Sequence, residues 1–174
     1  MRPLQLLFAS AINSKLFNSH SLKCNKKRIT IFFNSWSSWK KKSGFKVKFN
    51  HDKFSLSKKN VLRGLHYDNK TWKLVSCPYG KLFLAIVNID KKSNFYKKKF
   101  SIILSHKKNV QVLIPPNFAN GHLCLSDYCL FHYKLSYNGK YSDVKNQKNI
   151  KWNNKNLNIQ WPIKKNLILN NRDK

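Results

Sequence analysis

Glutamate is absent from this 174-residue sequence, and the six acidic residues are all aspartates. Glycine and proline are also scarce, at five each, which leaves no room for a phosphate-cradling Gly-rich loop. No apolar run approaches the eighteen or so residues of a membrane-spanning helix, so no membrane association is expected. Cys24, Cys77, Cys124 and Cys129 contain no C-x-x-C pair, and four in this length are too few for a disulfide scaffold. They read as reduced thiols of a cytoplasmic protein, some of them in buried strands. With no Glu and no H-x-H or H-x-x-x-H pair, ligands at metal-binding spacing are lacking, and no metal site is expected. Long 3.6-residue periodicity is missing too, so helix should be minor.

Against the six acids stand 35 Lys and Arg, a formal charge of +29. Thirty-one of these are Lys and only four Arg. Lys, Asn, Ile, Phe and Tyr have AT-rich codons, so much of this charge reads as the drift of an AT-biased genome. Zinc-finger spacing, a helix-turn-helix pattern and RNP-like motifs are absent, and Arg, the usual base and phosphate reader, is rare. Specific nucleic-acid binding is therefore not expected. The charge does favour small anionic ligands, nucleotide diphosphates among them.

The chain is 41% hydrophobic and 14% aromatic, enough to bury a core at this length. One domain over residues 1–174 is expected. Residues 1–27 are the hardest to read. Leu4 to Ile12 is apolar but short, its flank is polar, and it has no small-x-small cleavage pattern. An irregular strand and loop are expected there. From Ile29 the pattern is β, with apolar runs at Ile29–Phe33, Phe45–Phe49, Val61–Tyr67, Leu82–Ile89, Phe100–Leu104, Val110–Ile114, His122–Leu125 and Cys129–Leu135. About eight short strands predict an all-β sandwich or barrel. The tail from Ile150 reads as irregular chain wrapping the body, pinned by Trp152 and Trp161.

Five features carry candidate chemistry. Leu62-Arg63-Gly64-Leu65-His66-Tyr67 puts a cation and an imidazole base on one apolar strand. Alone, such a His also fits a hydrogen-bonded structural role. Lys73 stands at a strand entrance, solvated or, in a pocket, an oxyanion stabiliser. Pro115 to His122 reads as a strand end and a tight turn, with Asn120 and His122 of one parity. In Phe131-His132-Tyr133-Lys134, alternation lets only one of His132 and Tyr133 face an interior. Arg172 and Asp173 in the tail have the look of a surface ion pair worth little.

Taken in order, VLRGLHY, KLV, IPPNFANGHLCLSD, FHYKLSY, IKWNNKNLNIQWP and LNNRDK resemble the dTDP-4-dehydrorhamnose 3,5-epimerase family. Its members show VLRGLHYQ, KLVRV, IPxGFAHGFLVLSD, YK, GIxWxDPxLxIxWP and LSxKD. The likeness runs from about Phe49 to Asp173. It implies a metal-free cupin, an antiparallel jelly roll with minor short helices that forms a homodimer. The implied reaction is cofactor-independent epimerisation at C3 and C5 of dTDP-4-dehydro-6-deoxy-D-glucose.

By the same resemblance His66 is the general base and Asp173 the carboxylate that fixes its tautomer. Tyr133 is the opposite-face acid, its pKa lowered by a nearby cation, and Lys73 is the cation beside the C4 oxygen. Arg63 contacts a nucleotide phosphate and Arg172 the nucleotide. His51, Lys53, Ser55, Asn120 and Gln147 fall at further substrate-binding positions. Several of these depart from the family pattern. FAHG is FANG here, which puts Asn120 where a sugar-binding His stands, with His122 as a candidate to compensate. RGFFFES reads Ile29 to Ser35, without its Arg and Glu. QDN becomes His51-Asp52-Lys53, and Gln147 stands in place of Glu. These departures keep two other readings open, a mono-epimerase of another nucleotide 4-keto-sugar and a catalytically drifted sugar-nucleotide-binding protein of the same fold.

Overall fold

The computed structural model describes residues 21–24, 27–33, 47–141 and 146–174; expectations for residues 1–20 lie outside them. The first strands are β1 (Ser21–Cys24), β2 (Lys27–Phe33), β3 (His51–Lys58), β4 (Val61–Tyr67), β5 (Trp72–Tyr79) and β6 (Lys81–Asn88). They are followed by β7 (Lys99–Ser105), β8 (Val110–Ile114), β9 (Phe118–Cys124), β10 (Tyr128–Ser136), β11 (Lys148–Asn149) and β12 (Ile168–Leu169). A single 3₁₀ turn, Asn171–Asp173, is the one helical element described. One sheet runs β1-β2-β8-β5-β10-β3; the other runs β11-β4-β9-β6-β7, with β12 also beside β4. The ladders are antiparallel except β12 on β4.

The two sheets pack face to face because alternation gives each an apolar inner row. Val75, Leu82, Leu84, Ile86, Val112, Ile114 and Phe131 belong to this inner core. The second sheet is buried on its outer face as well: Leu62, Leu65, Ala85, Val87 and Leu123 form a separate cluster with Leu157 and Trp161 of the tail. That explains why β6 reads as a nearly unbroken apolar run. The wrapping tail expected from the sequence is present, and the Trp161 indole N–H donates to the Trp152 carbonyl at 2.9 Å. Its two short strands were not legible, since Lys148-Asn149 and Ile168-Leu169 carry no strand pattern of their own.

Three other differences have physical causes. β3 was missed because its apolar residues, Phe54 and Leu56, face outward while Lys53, Ser55 and Ser57 face inward. The run Phe45–Phe49 gives no regular strand over its described part; Val47 and Phe49 instead pack on Leu74, Leu113 and Trp72 outside the first sheet. The strand expected at His122–Leu125 begins earlier, at Phe118, so the residues read as a turn at Asn120-Gly121 lie inside a ladder.

Candidate active site

β4 departs from simple alternation. Leu62 and Leu65 both join the outer cluster, while Arg63 and His66 both line a cavity between the sheets. Against β9, Arg63 pairs with His122 but His66 pairs with Asn120, so β4 holds one extra residue between them. Gly64 accommodates this bulge. Its φ is +113°, and a Cβ there would stand 2.6 Å from the Gly121 Cα and 2.7 Å from the Asn120 carbonyl oxygen.

The tail completes the exposed edge of β4. Ile150 exchanges two backbone hydrogen bonds with Leu65, and β12 runs parallel to Val61 and Leu62. The 3₁₀ turn that follows delivers Asp173 beneath the His66 ring. The His66 Nε2–H donates to the Asp173 carboxylate at 2.6 Å. Asp173 is only 1% exposed, so the bland reading of a surface ion pair does not apply. Burial alone would raise its pKa, but the bonds from His66 and the Gly64 backbone N–H, with the nearby Arg172 charge, hold it below the ordinary value. The carboxylate is therefore ionised. It fixes the proton on Nε2 and leaves the lone pair of His66 at Nδ1.

Burial lowers the His66 pKa, and Arg172 and Lys73 lower it further; together they outweigh the raising effect of Asp173. The ring is neutral at pH 7 and able to accept a proton. Lys73 reaches across the sandwich from β5 and is 7% exposed. Its Nζ donates to the Asn120 side-chain oxygen at 2.9 Å. Burial, opposed by Asp68, pulls its pKa down to about 8, leaving the ammonium charged at neutral pH.

Tyr133 on β10 lines the same cavity, whereas His132 faces outward and binds Asp52 at 2.9 Å, as alternation requires. The expected lowering of the Tyr133 pKa is not found. Burial raises it, and Lys53, Arg63 and Arg172 offset only part of that rise. Tyr133 stays a protonated phenol throughout the physiological range.

Lys53, Ser55, Asn120, Gln147 and Arg172 also line the cavity. Lys53 donates to the Tyr141 hydroxyl at 3.0 Å, and Arg63 Nε donates to the Ser57 hydroxyl at 3.2 Å. His51 is the one sequence-selected residue not on the cavity wall. Its ring bonds the Tyr137 hydroxyl at 3.2 Å and packs on Tyr141, so it supports the wall from behind. Tyr141 also lines the cavity but was not selected from the sequence, because its contacts with Lys53 and His51 arise only in the fold. His122, noted merely as a candidate to compensate for Asn120, is a full lining residue.

An imidazole base with an ionised carboxylate behind it, a buried ammonium and a phenol in one cavity are the groups for moving a proton on a carbon beside a carbonyl. Comparison with known proteins agrees. A family model described as dTDP-4-dehydrorhamnose 3,5-epimerase matches residues 20–174. The chain belongs to this epimerase family. The epimerase of Salmonella typhimurium is 37% identical over 138 residues, covering 76% of this chain and 74% of that one. The Shigella flexneri epimerase is 40% identical over 133 residues, covering 75% and 71%. Among solved structures, a Legionella pneumophila dTDP-6-deoxy-D-glucose-3,5-epimerase in complex with dTDP-4-keto-L-rhamnose superposes with a TM-score of 0.77 at 28% identity, covering 90% of this chain and 89% of that one. The fold is the cupin-type jelly roll of these epimerases, as the sequence led us to expect.

Proposed function

We propose that this chain epimerises C3 and C5 of dTDP-4-dehydro-6-deoxy-D-glucose, giving dTDP-4-dehydro-L-rhamnose. His66 Nδ1 takes the proton from a carbon next to the C4 ketone. The Lys73 ammonium stabilises the oxygen of the resulting enolate, a contribution worth about 10²–10³ in rate for such a donor. The Tyr133 phenol delivers a proton to the opposite face, and exchange with water restores both groups. Arg63, Arg172 and Lys53 supply positive charge for the diphosphate. The observation that carries this reading is the 2.6 Å His66–Asp173 hydrogen bond in a cavity that also holds Lys73 and Tyr133. The ligand of the Legionella structure supports a dTDP-sugar as the substrate class.

Deuterium wash-in tests the proposal. In D₂O the wild-type protein is expected to label both C3 and C5 of the substrate. Label at one carbon alone would replace it with a mono-epimerase. Binding without any label would replace it with a non-catalytic binding protein, the reading that Asn120 in place of His favours. Tyr133→Phe is expected to slow product formation more than exchange.

The same reading includes a cytoplasmic location and a homodimer. Phe54, Leu56, Tyr79 and Tyr128, all exposed on one outer face, offer apolar area for a second copy. Sedimentation velocity giving a monomer at micromolar concentration would remove the dimer.

A further inference from the structure

His122 is a buried histidine that the mechanism above does not use. It sits on β9 between Arg63 of β4 and Leu84 of β6, 4% exposed. Its ring stacks on Phe131, with centroids 4.2 Å apart and planes inclined by 20°. That stack holds the imidazole in one orientation on the wall of the cavity. Among the described residues, its Nε2 is buried with no hydrogen-bond partner. A buried polar atom left unpaired costs about 1–3 kcal/mol, so the protein alone does not explain this histidine.

Burial, with Arg63 and His66 nearby, lowers its pKa to about 3, so the ring is neutral at working pH. A neutral ring adds no charge for a phosphate, a task that Arg63, Arg172 and Lys53 already suit. It is matched instead to an uncharged hydroxyl. Its place along β9 agrees. Arg63 lies directly across the ladder, and Asn120, on the same face, pairs with His66. His122 thus stands level with Arg63, two residues along β9 from the Asn120 that pairs with the base.

We infer that His122 is a specificity residue: its imidazole hydrogen-bonds a hydroxyl of the hexose. This rests on the sugar-nucleotide reading above. The test is calorimetric titration with two probes, dTDP and dTDP-D-glucose; the second has no C4 ketone and cannot react. His122→Phe keeps an aromatic ring on Phe131 and removes both nitrogens. His122→Gln restores a hydrogen-bonding group.

The expected result is that His122→Phe binds dTDP within about twofold of wild type but binds dTDP-D-glucose about tenfold more weakly, the loss of roughly one hydrogen bond. His122→Gln should recover most of that difference. Equal weakening for both probes would overturn the assignment, because the contact would then lie on the diphosphate or the fold would be damaged. An unchanged dTDP-D-glucose affinity would also overturn it while leaving the epimerase reading intact. Wild-type protein that bound neither probe would end both.

Discussion

Arg63 and His66 face the same cavity although strict alternation along β4 would send them to opposite faces of the sheet. The extra residue between them resets the parity, so that Leu62 and Leu65 remain on the apolar outer side. A guanidinium and an imidazole are thereby carried into one cavity on a single strand without giving up its packing.

Gly64→Ala should cost this arrangement directly. The added methyl meets the β9 backbone at 2.6–2.7 Å and forces an L-residue to a φ of +113°. A loss of more than about 2 kcal/mol is expected. At this chain length that lowers the melting temperature by about 5 °C or more in a thermal scan. An unchanged melting temperature would mean that the bulge is not held by the close approach of β4 and β9.

Asp173→Asn should leave the fold in place and remove the charge that fixes the His66 tautomer. A fall in kcat of about 10²- to 10⁴-fold is expected, with little change in KM for the nucleotide sugar. His66→Ala should abolish solvent exchange at the substrate carbons. Full turnover in either variant would remove the pair from the mechanism.

The pH profile of kcat/KM should be bell-shaped. In the proposed mechanism His66 acts unprotonated, and its pKa is lowered from 6.5, so activity should be lost as pH falls through that lowered value. In the same mechanism Lys73 acts charged, and its pKa lies at about 8, so activity should be lost as pH rises through it. Lys73→Arg, whose guanidinium stays charged, should move the alkaline limb upward, and Lys73→Met should slow the reaction about 10²- to 10³-fold. A wild-type rate that stayed flat between pH 7 and 9.5 would show that the Lys73 charge is not needed.

Much of the β architecture could be read from residue order, since β4, β6, β7, β8 and β10 each announce themselves as apolar runs between Lys and Asn clusters. β3 did not, because the cavity it lines is polar and its inward row is Lys53, Ser55 and Ser57. β11 and β12 did not either. Two residues set no period, and these strands exist only because β4 offers an open edge. Among cavity residues, those inside family motifs were recognisable in the chain. Tyr141 was not, since a tyrosine in a polar loop acquires a role only through the lysine it meets.

What the sequence determined alone was composition and pattern: an all-β chain with an apolar core, a surplus of cations, and a His, a Tyr, a Lys and a distant Asp in a recognisable order. Only the tertiary structure decided what those groups can do. Proton affinity depends on what surrounds a group, and these surroundings come from far apart in the chain. Asp173 is a buried carboxylate bound to His66 because the tail closes against β4, and Tyr133 holds its proton because burial outweighs three nearby cations.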